Sequence, residues 1–134
     1  MRIDVSNGTV LFERGTISPK SPRPSLLDDA SALTMKESFV NGNWRHYEFD
    51  PETGIAGTVI FEGDSIDRIF LSIKRPDKNA ESWSVELELD RKKTHDLWLL
   101  AELGDPPYEY AWGRIVSAFD PKGLASEIIV VYES

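Results

Sequence analysis

Gly63-Asp64-Ser65-Ile66 is the first stretch of this chain whose residue types suggest chemistry, a serine directly after an aspartate, as in some esterase nucleophile blocks. Acyl transfer at serine needs a strand-to-helix turn, a histidine base and an acid that orients it. Here the block lies between two β-type runs, and neither His46 nor His95 sits in an Asp-x-x-His pattern. A polar hairpin turn is the better reading. His95-Asp96 offers a base next to an acid, but neighbours on a helix point about 100° apart and do not face one another. Glu86, Glu88 and Asp90 cluster acid groups without the glycine and terminal glutamate of a calcium loop. They read as a solvated acidic surface. Tyr108, Tyr110 and Trp112 alternate, so one strand face would carry three rings, suited to stacking on a ligand or partner, and more often found packed under a helix.

No cofactor is expected from these residues. With no cysteine there is neither a disulfide framework nor a thiolate metal site, and two histidines do not make a histidine-rich one. No phosphate-binding glycine loop or dinucleotide fingerprint occurs. The 23 acidic and 15 basic residues give a formal net charge of −8. That charge repels phosphate, which disfavours nucleic acid and anionic membranes and suits a basic protein partner. The longest apolar runs, Leu97–Ala101 and Ile128–Tyr132, are too short to span a bilayer, and the first residues lack the apolar core of a secretory signal. A cytoplasmic protein is expected.

The elements that must position these groups follow from turn chemistry and periodicity. A length of 134 residues with 40% hydrophobic and 28% charged content fits one domain over residues 1–134. Asn7-Gly8 joins Arg2–Val5 to Thr9–Glu13 as a hairpin. Gly15 to Ser25, with Pro19, Pro22 and Pro24, reads as a loop, and Ser25 as the cap of a short helical turn. Leu33–Val40, Trp44–Phe49, Ile55–Glu62 and Ile66–Lys74 form a meander, with Asp50-Pro51-Glu52-Thr53-Gly54 closing its second strand. Within the last of these, Asp67, Ile69, Leu71 and Ile73 take the core face.

One helix is expected over residues 84–103, with a strand at Trp83–Leu89 as the alternative. Trp83, Leu87, Thr94, Leu97, Trp98 and Ala101 share a helical face, which predicts a buried Trp98. Gly104 and Pro106-Pro107 stop the helix. Tyr110–Phe119 and Leu124–Tyr132 make a final hairpin around Asp120-Pro121-Lys122-Gly123, where glycine takes the left-handed exit. The fold class is therefore α+β: an antiparallel sheet of about six or seven strands packed against one main helix.

His95-Asp96-Leu97-Trp98-Leu99, Leu103-Gly104, Tyr110-Ala111-Trp112-Gly113-Arg114-Ile115 and Asp120-Pro121-Lys122-Gly123 followed by Ser126 and the Ile128–Tyr132 strand resemble a group of small bacterial proteins. Some similar small proteins are immunity partners of polymorphic toxins. The resemblance covers residues 83–132 and rests on a helix end and a hairpin, so it implies a class and transfers no site residue.

The functional expectation is a non-enzymatic protein that binds a basic partner, immunity-like at its most specific. Its contacts would be Glu86, Glu88, Asp90 and Asp96 on the helix with Tyr108 and Tyr110 beside them. The alternative is a ligand-binding or hydrolytic domain with a pocket between helix and sheet, using His95, Asp96 or Asp120.

Overall fold

The structure, a computed structural model, describes residues 1–27, 32–73, 85–120, 122 and 125–133. Arg2–Asp4 (β1), Thr9–Phe12 (β2) and Gly15–Ile17 (β3) pair as a three-stranded antiparallel sheet. Its first turn needs glycine twice over. Gly8 has φ +80°, and a Cβ there would stand 2.6 Å from the Trp112 ring. The strand β3 corrects the expected loop: Gly15-Thr16-Ile17 precede the first proline, and burying Ile17 completely ties them to the sheet. Arg23–Leu26 (α1) is a single turn with proline in its opening positions, where the missing N–H leaves no bond unmade.

Lys36–Asn41 (β4), Trp44–Glu52 (β5), Ile55–Glu62 (β6) and Ser65–Ile73 (β7) form the meander. After the helix Val85–Leu103 (α2) come Tyr108–Tyr110 (β8), Gly113–Asp120 (β9) and Ala125–Tyr132 (β10). These seven strands make one antiparallel sheet in the order β4-β5-β6-β7-β10-β9-β8. The α+β class with a sheet against one main helix holds.

Two bulges reset the pattern that alternation predicts. One lies opposite the Ile60/Phe61 step, where Phe61 pairs with Ile66 and Ile60 with Arg68. It moves Ile66 into the core with Ile69 and Leu71. The other lies between Phe49 and Glu52, so β5 runs on through Pro51, and the turn is left to Thr53-Gly54. The interrupted ladder there does not need the N–H that proline lacks.

Phe49, Gly57, Leu71, Ile128 and Ser117 form one row across the sheet on the covered face. The small sheet and α2 both lie on that face. Phe12 meets Phe49 edge-on at 5.9 Å, and the Tyr132 hydroxyl donates to the Gly8 carbonyl at 2.8 Å. Residues of α2 contact β7, β9 and β10.

The C-terminal half departs from expectation at two points. The chain turns at Ala111-Trp112, so Tyr110–Phe119 is two strands, and β8 folds back on β9 with Tyr108 opposite Ile115. Gly113 permits this: its φ is +151°, and a Cβ would overlap the Val131 carbonyl oxygen at 1.9 Å. The helix is a helix from Val85 onward, but its buried side chains are Glu88, His95 and Leu99, not the Leu87–Trp98 face. Trp98 is half-buried and Leu97 is 66% exposed. Trp83, Pro121 and Gly123 lie outside the described residues, and with them the expected left-handed glycine of the last turn.

Candidate functional site

The residues singled out in the sequence divide between two places. The first is a polar node under α2. Continuing the β7–β10 register past Leu71↔Ile128 would set Ile73 opposite Ser126, but the ladder stops before that pair. Two side chains of α2 take the place of strand acceptors. The Ile73 N–H donates to His95 Nε2 at 3.0 Å, and the Ser126 N–H donates to Glu88 Oε2 at 2.8 Å. The Ser126 hydroxyl donates back to the Glu88 carbonyl, and Arg91 pairs with the other Glu88 oxygen. The two backbone donors left by the parted strands, the Ile73 and Ser126 N–H groups, thereby both have an acceptor, as burial requires.

This corrects two expectations. Glu88 is 4% exposed and tied to Ser126 and Arg91, so it is not part of an acidic contact surface. His95 is fully buried and does not line a pocket. Burial first, then the Arg91 charge, pushes its pKa down to about 4 from 6.5, with Asp96 pulling weakly the other way. His95 is thus neutral at pH 7. Its Nε2 accepts from the backbone, which assigns the proton to Nδ1, a buried atom without a partner among the described residues.

The remaining acids scatter. Glu86 is exposed at the start of α2 and Asp90 half-buried. The Asp96 carboxylate is held by Lys92 one turn earlier at 3.0 Å. Burial raises its pKa, but the neighbouring Ser117 hydroxyl and Lys92 outweigh that and leave it lowered. Asp120 accepts from the Lys122 N–H at 2.9 Å at the last position of β9. No group here is placed to pull a proton from His95, and the sequence-adjacent pair does not act as one.

The second place is a groove of about 590 Å³ between the C-terminal half of α2 and the edge formed by β8 and β9. Asp96, Leu99 and Leu100 form one wall, and Arg114, Ile115, Val116 and Ser117 the other. Pro106, Pro107 and Tyr108 close one end, where the Tyr108 hydroxyl donates to the Gly104 carbonyl at 2.8 Å. Leu100 is 45% and Val116 38% exposed, so apolar surface faces solvent at the groove mouth. This is a pocket between helix and sheet, as the alternative reading asked, but Asp96 is its only member from that reading's residues.

The aromatic row proves largely structural. Tyr110 stacks on Trp112 at 5.2 Å, Trp112 meets Tyr132 at 5.7 Å, and the Trp112 indole N–H donates to the Val5 carbonyl at 2.8 Å. These rings seat the small sheet on the main one. Tyr108 alone turns toward the groove, and burial raises its pKa.

Sequence reasoning missed Arg91, Ser126, Leu100, Val116 and Ser117. Only the run of leucines in α2 beyond what one apolar face needs hinted at a second surface.

No family model matches the chain, and no curated protein or solved structure matches it. The site defines an α+β protein with an apolar groove at an open sheet edge. Among the described residues no helix is long and apolar enough to cross a membrane.

Proposed function

We propose that this chain is a non-enzymatic binding protein that holds a basic protein partner in the groove between α2 and the β8–β9 edge. The carrying observation is the groove itself, where leucine, valine and proline side chains reach solvent beside a lining with two acids, Asp96, already paired with Lys92, and Glu109, which stands opposite Arg114 on the neighbouring strand. Such a surface gains by desolvation against another protein and offers little grip to a polar metabolite. The net charge of −8 favours a cationic partner through steering more than through contact energy. An immunity-like role, in which the partner is a basic toxin domain, is the most specific form of this reading and rests on the resemblance of residues 83–132.

Capture from the native host, followed by titration calorimetry with the purified partner, tests it. Leu100→Glu, inside the groove, should weaken binding at least about tenfold, roughly the loss of one modest hot spot. Leu97→Glu, on the outer side of the same helix, should leave affinity unchanged. Equal affinity for Leu100→Glu and the unaltered protein, or a strongly acidic partner, refutes the reading.

A further inference from the structure

The geometry points to strand addition at this groove: an extended segment of the partner, apolar at alternate positions, pairs with the free edge of β9 over Val116–Asp120. This deepens the binding reading above and rests on it.

Three observations carry it. First, β9 spans Gly113–Asp120, but β8 pairs only with Gly113, Arg114 and Ile115. Among the described residues no strand covers β9 beyond Ile115, so five residues keep an open edge of about 15 Å. Every second residue there points its N–H and C=O outward, and each such pair is a ready template for another strand. Second, the groove lies along that edge and not on a sheet face. Its wall includes Arg114 and Val116 from one face of β9 together with Ile115 and Ser117 from the other. The groove ends at Pro106-Pro107, where β8 begins, and so occupies the line that a longer β8 would fill. Third, the two outer edges of the sheet are built differently. The β4 edge carries Lys36 and Glu37 and a bulge between Glu37 and Phe39, which are the usual obstacles to unwanted pairing. Val116-Ser117-Ala118-Phe119 carries no charge, no proline and no bulge.

The occupant follows from the walls. Alternate side chains of an added strand would enter the covered face against Leu99 and Leu100, so they must be apolar. At the far end, the Glu88 and Asp120 charges reinforce the rise that burial produces in the Glu127 pKa. A cation on the incoming strand relieves that repulsion. A second copy of this chain fits poorly. Antiparallel pairing of β9 with itself places the two-fold axis normal to the sheet, which puts both α2 helices over one groove.

The probe is a capped heptapeptide of alternating valine and threonine flanked by lysines, titrated into the intact protein. Amide shift changes confined to residues 114–120 and to Leu99 and Leu100 are expected, with slowed hydrogen exchange at alternate amides from Val116 to Asp120. The same peptide N-methylated along its pairing edge should bind roughly tenfold or more weakly for each pair of bonds removed. Equal binding of the methylated peptide, perturbation elsewhere, or no binding at millimolar concentration overturns strand addition. So does tighter binding by an amphipathic helical peptide, or concentration-dependent dimerisation through residues 116–120. The binding reading falls separately, by the Leu100→Glu comparison with the captured partner.

Discussion

Acidifying the solution from pH 7 to pH 5 should destabilise this protein through His95, by an amount that can be worked from its surroundings. In the fold, His95 is fully buried, accepts from the Ile73 N–H, and lies near the Arg91 and Lys92 charges. Protonation would turn Nε2 from acceptor to donor against that N–H and bury a cation beside two others. The pKa is accordingly held at about 4, against 6.5 in the unfolded chain. A depressed folded pKa stabilises above the unfolded value, and that contribution is lost as pH falls toward the folded one. The whole shift is worth roughly 3 kcal/mol, and roughly 2 kcal/mol of it disappears between pH 7 and pH 5. For 134 residues that is a drop of about 7 °C in Tm. Glu127 works in the opposite direction, since burial raises its pKa and its protonation favours the fold. The comparison that isolates His95 is therefore His95→Gln, whose side-chain oxygen sits where Nε2 sat and does not titrate. Urea unfolding at fixed ionic strength should give parallel stabilities at pH 7 and a gap that opens in favour of the glutamine variant toward pH 5. If both proteins lose the same stability over that interval, His95 is not buried neutral and the polar node is wrongly described.

Two other substitutions test the packing. Glu88→Ala leaves the buried Ser126 N–H and the half-buried Arg91 without their partner and should cost about 2–4 kcal/mol, whereas Glu88→Gln keeps an acceptor and should cost roughly half as much; equal urea midpoints would remove Glu88 from the node. Gly57→Ala puts a Cβ 2.6 Å from the Phe49 ring and should cost roughly 1–3 kcal/mol, most of it recovered in a Phe49→Leu background, and an additive double-mutant cycle would show that the two do not touch.

The strands were legible where local chemistry decides them. Asn7-Gly8, Asn41-Gly42 and Gly63-Asp64 mark turns with glycine at positive φ, and they delimit the strands between them. The misjudged places are those where tertiary contact overrides the local signal. Nothing in Ala111-Trp112 announces a turn, because it is set by Gly113 lying against the Val131 carbonyl and by Trp112 closing over Gly8. The parity of β7 changes at a bulge that only its partner strand reveals. On the helix, an apolar count put Leu87, Thr94, Trp98 and Ala101 inward, roughly a third of a turn from the face that is buried. Glu88 and His95 read as polar surface in a sequence, and become interior residues only because two strands part beneath them.

That misjudged face also accounts for the groove. Glu88, His95 and Leu99 are spaced seven and four residues apart and make one stripe, held to the sheet by the Ser126 and Ile73 amides. Once that stripe faces inward, the helical repeat leaves Leu97 on the outer side and turns Lys92, Asp96 and Leu100 toward the β9 edge. A helix seated on its most apolar face would bury Trp98 and present other residues there. The polar anchors cost hydrophobic burial, visible in Val85, Leu89, Leu97 and Leu100 left exposed. What that orientation gains is a helix wall of leucine beside five residues of unpaired strand, the arrangement on which both the binding reading and strand addition depend. A node built for stability alone would have no reason to leave Leu100 at the mouth of an open edge.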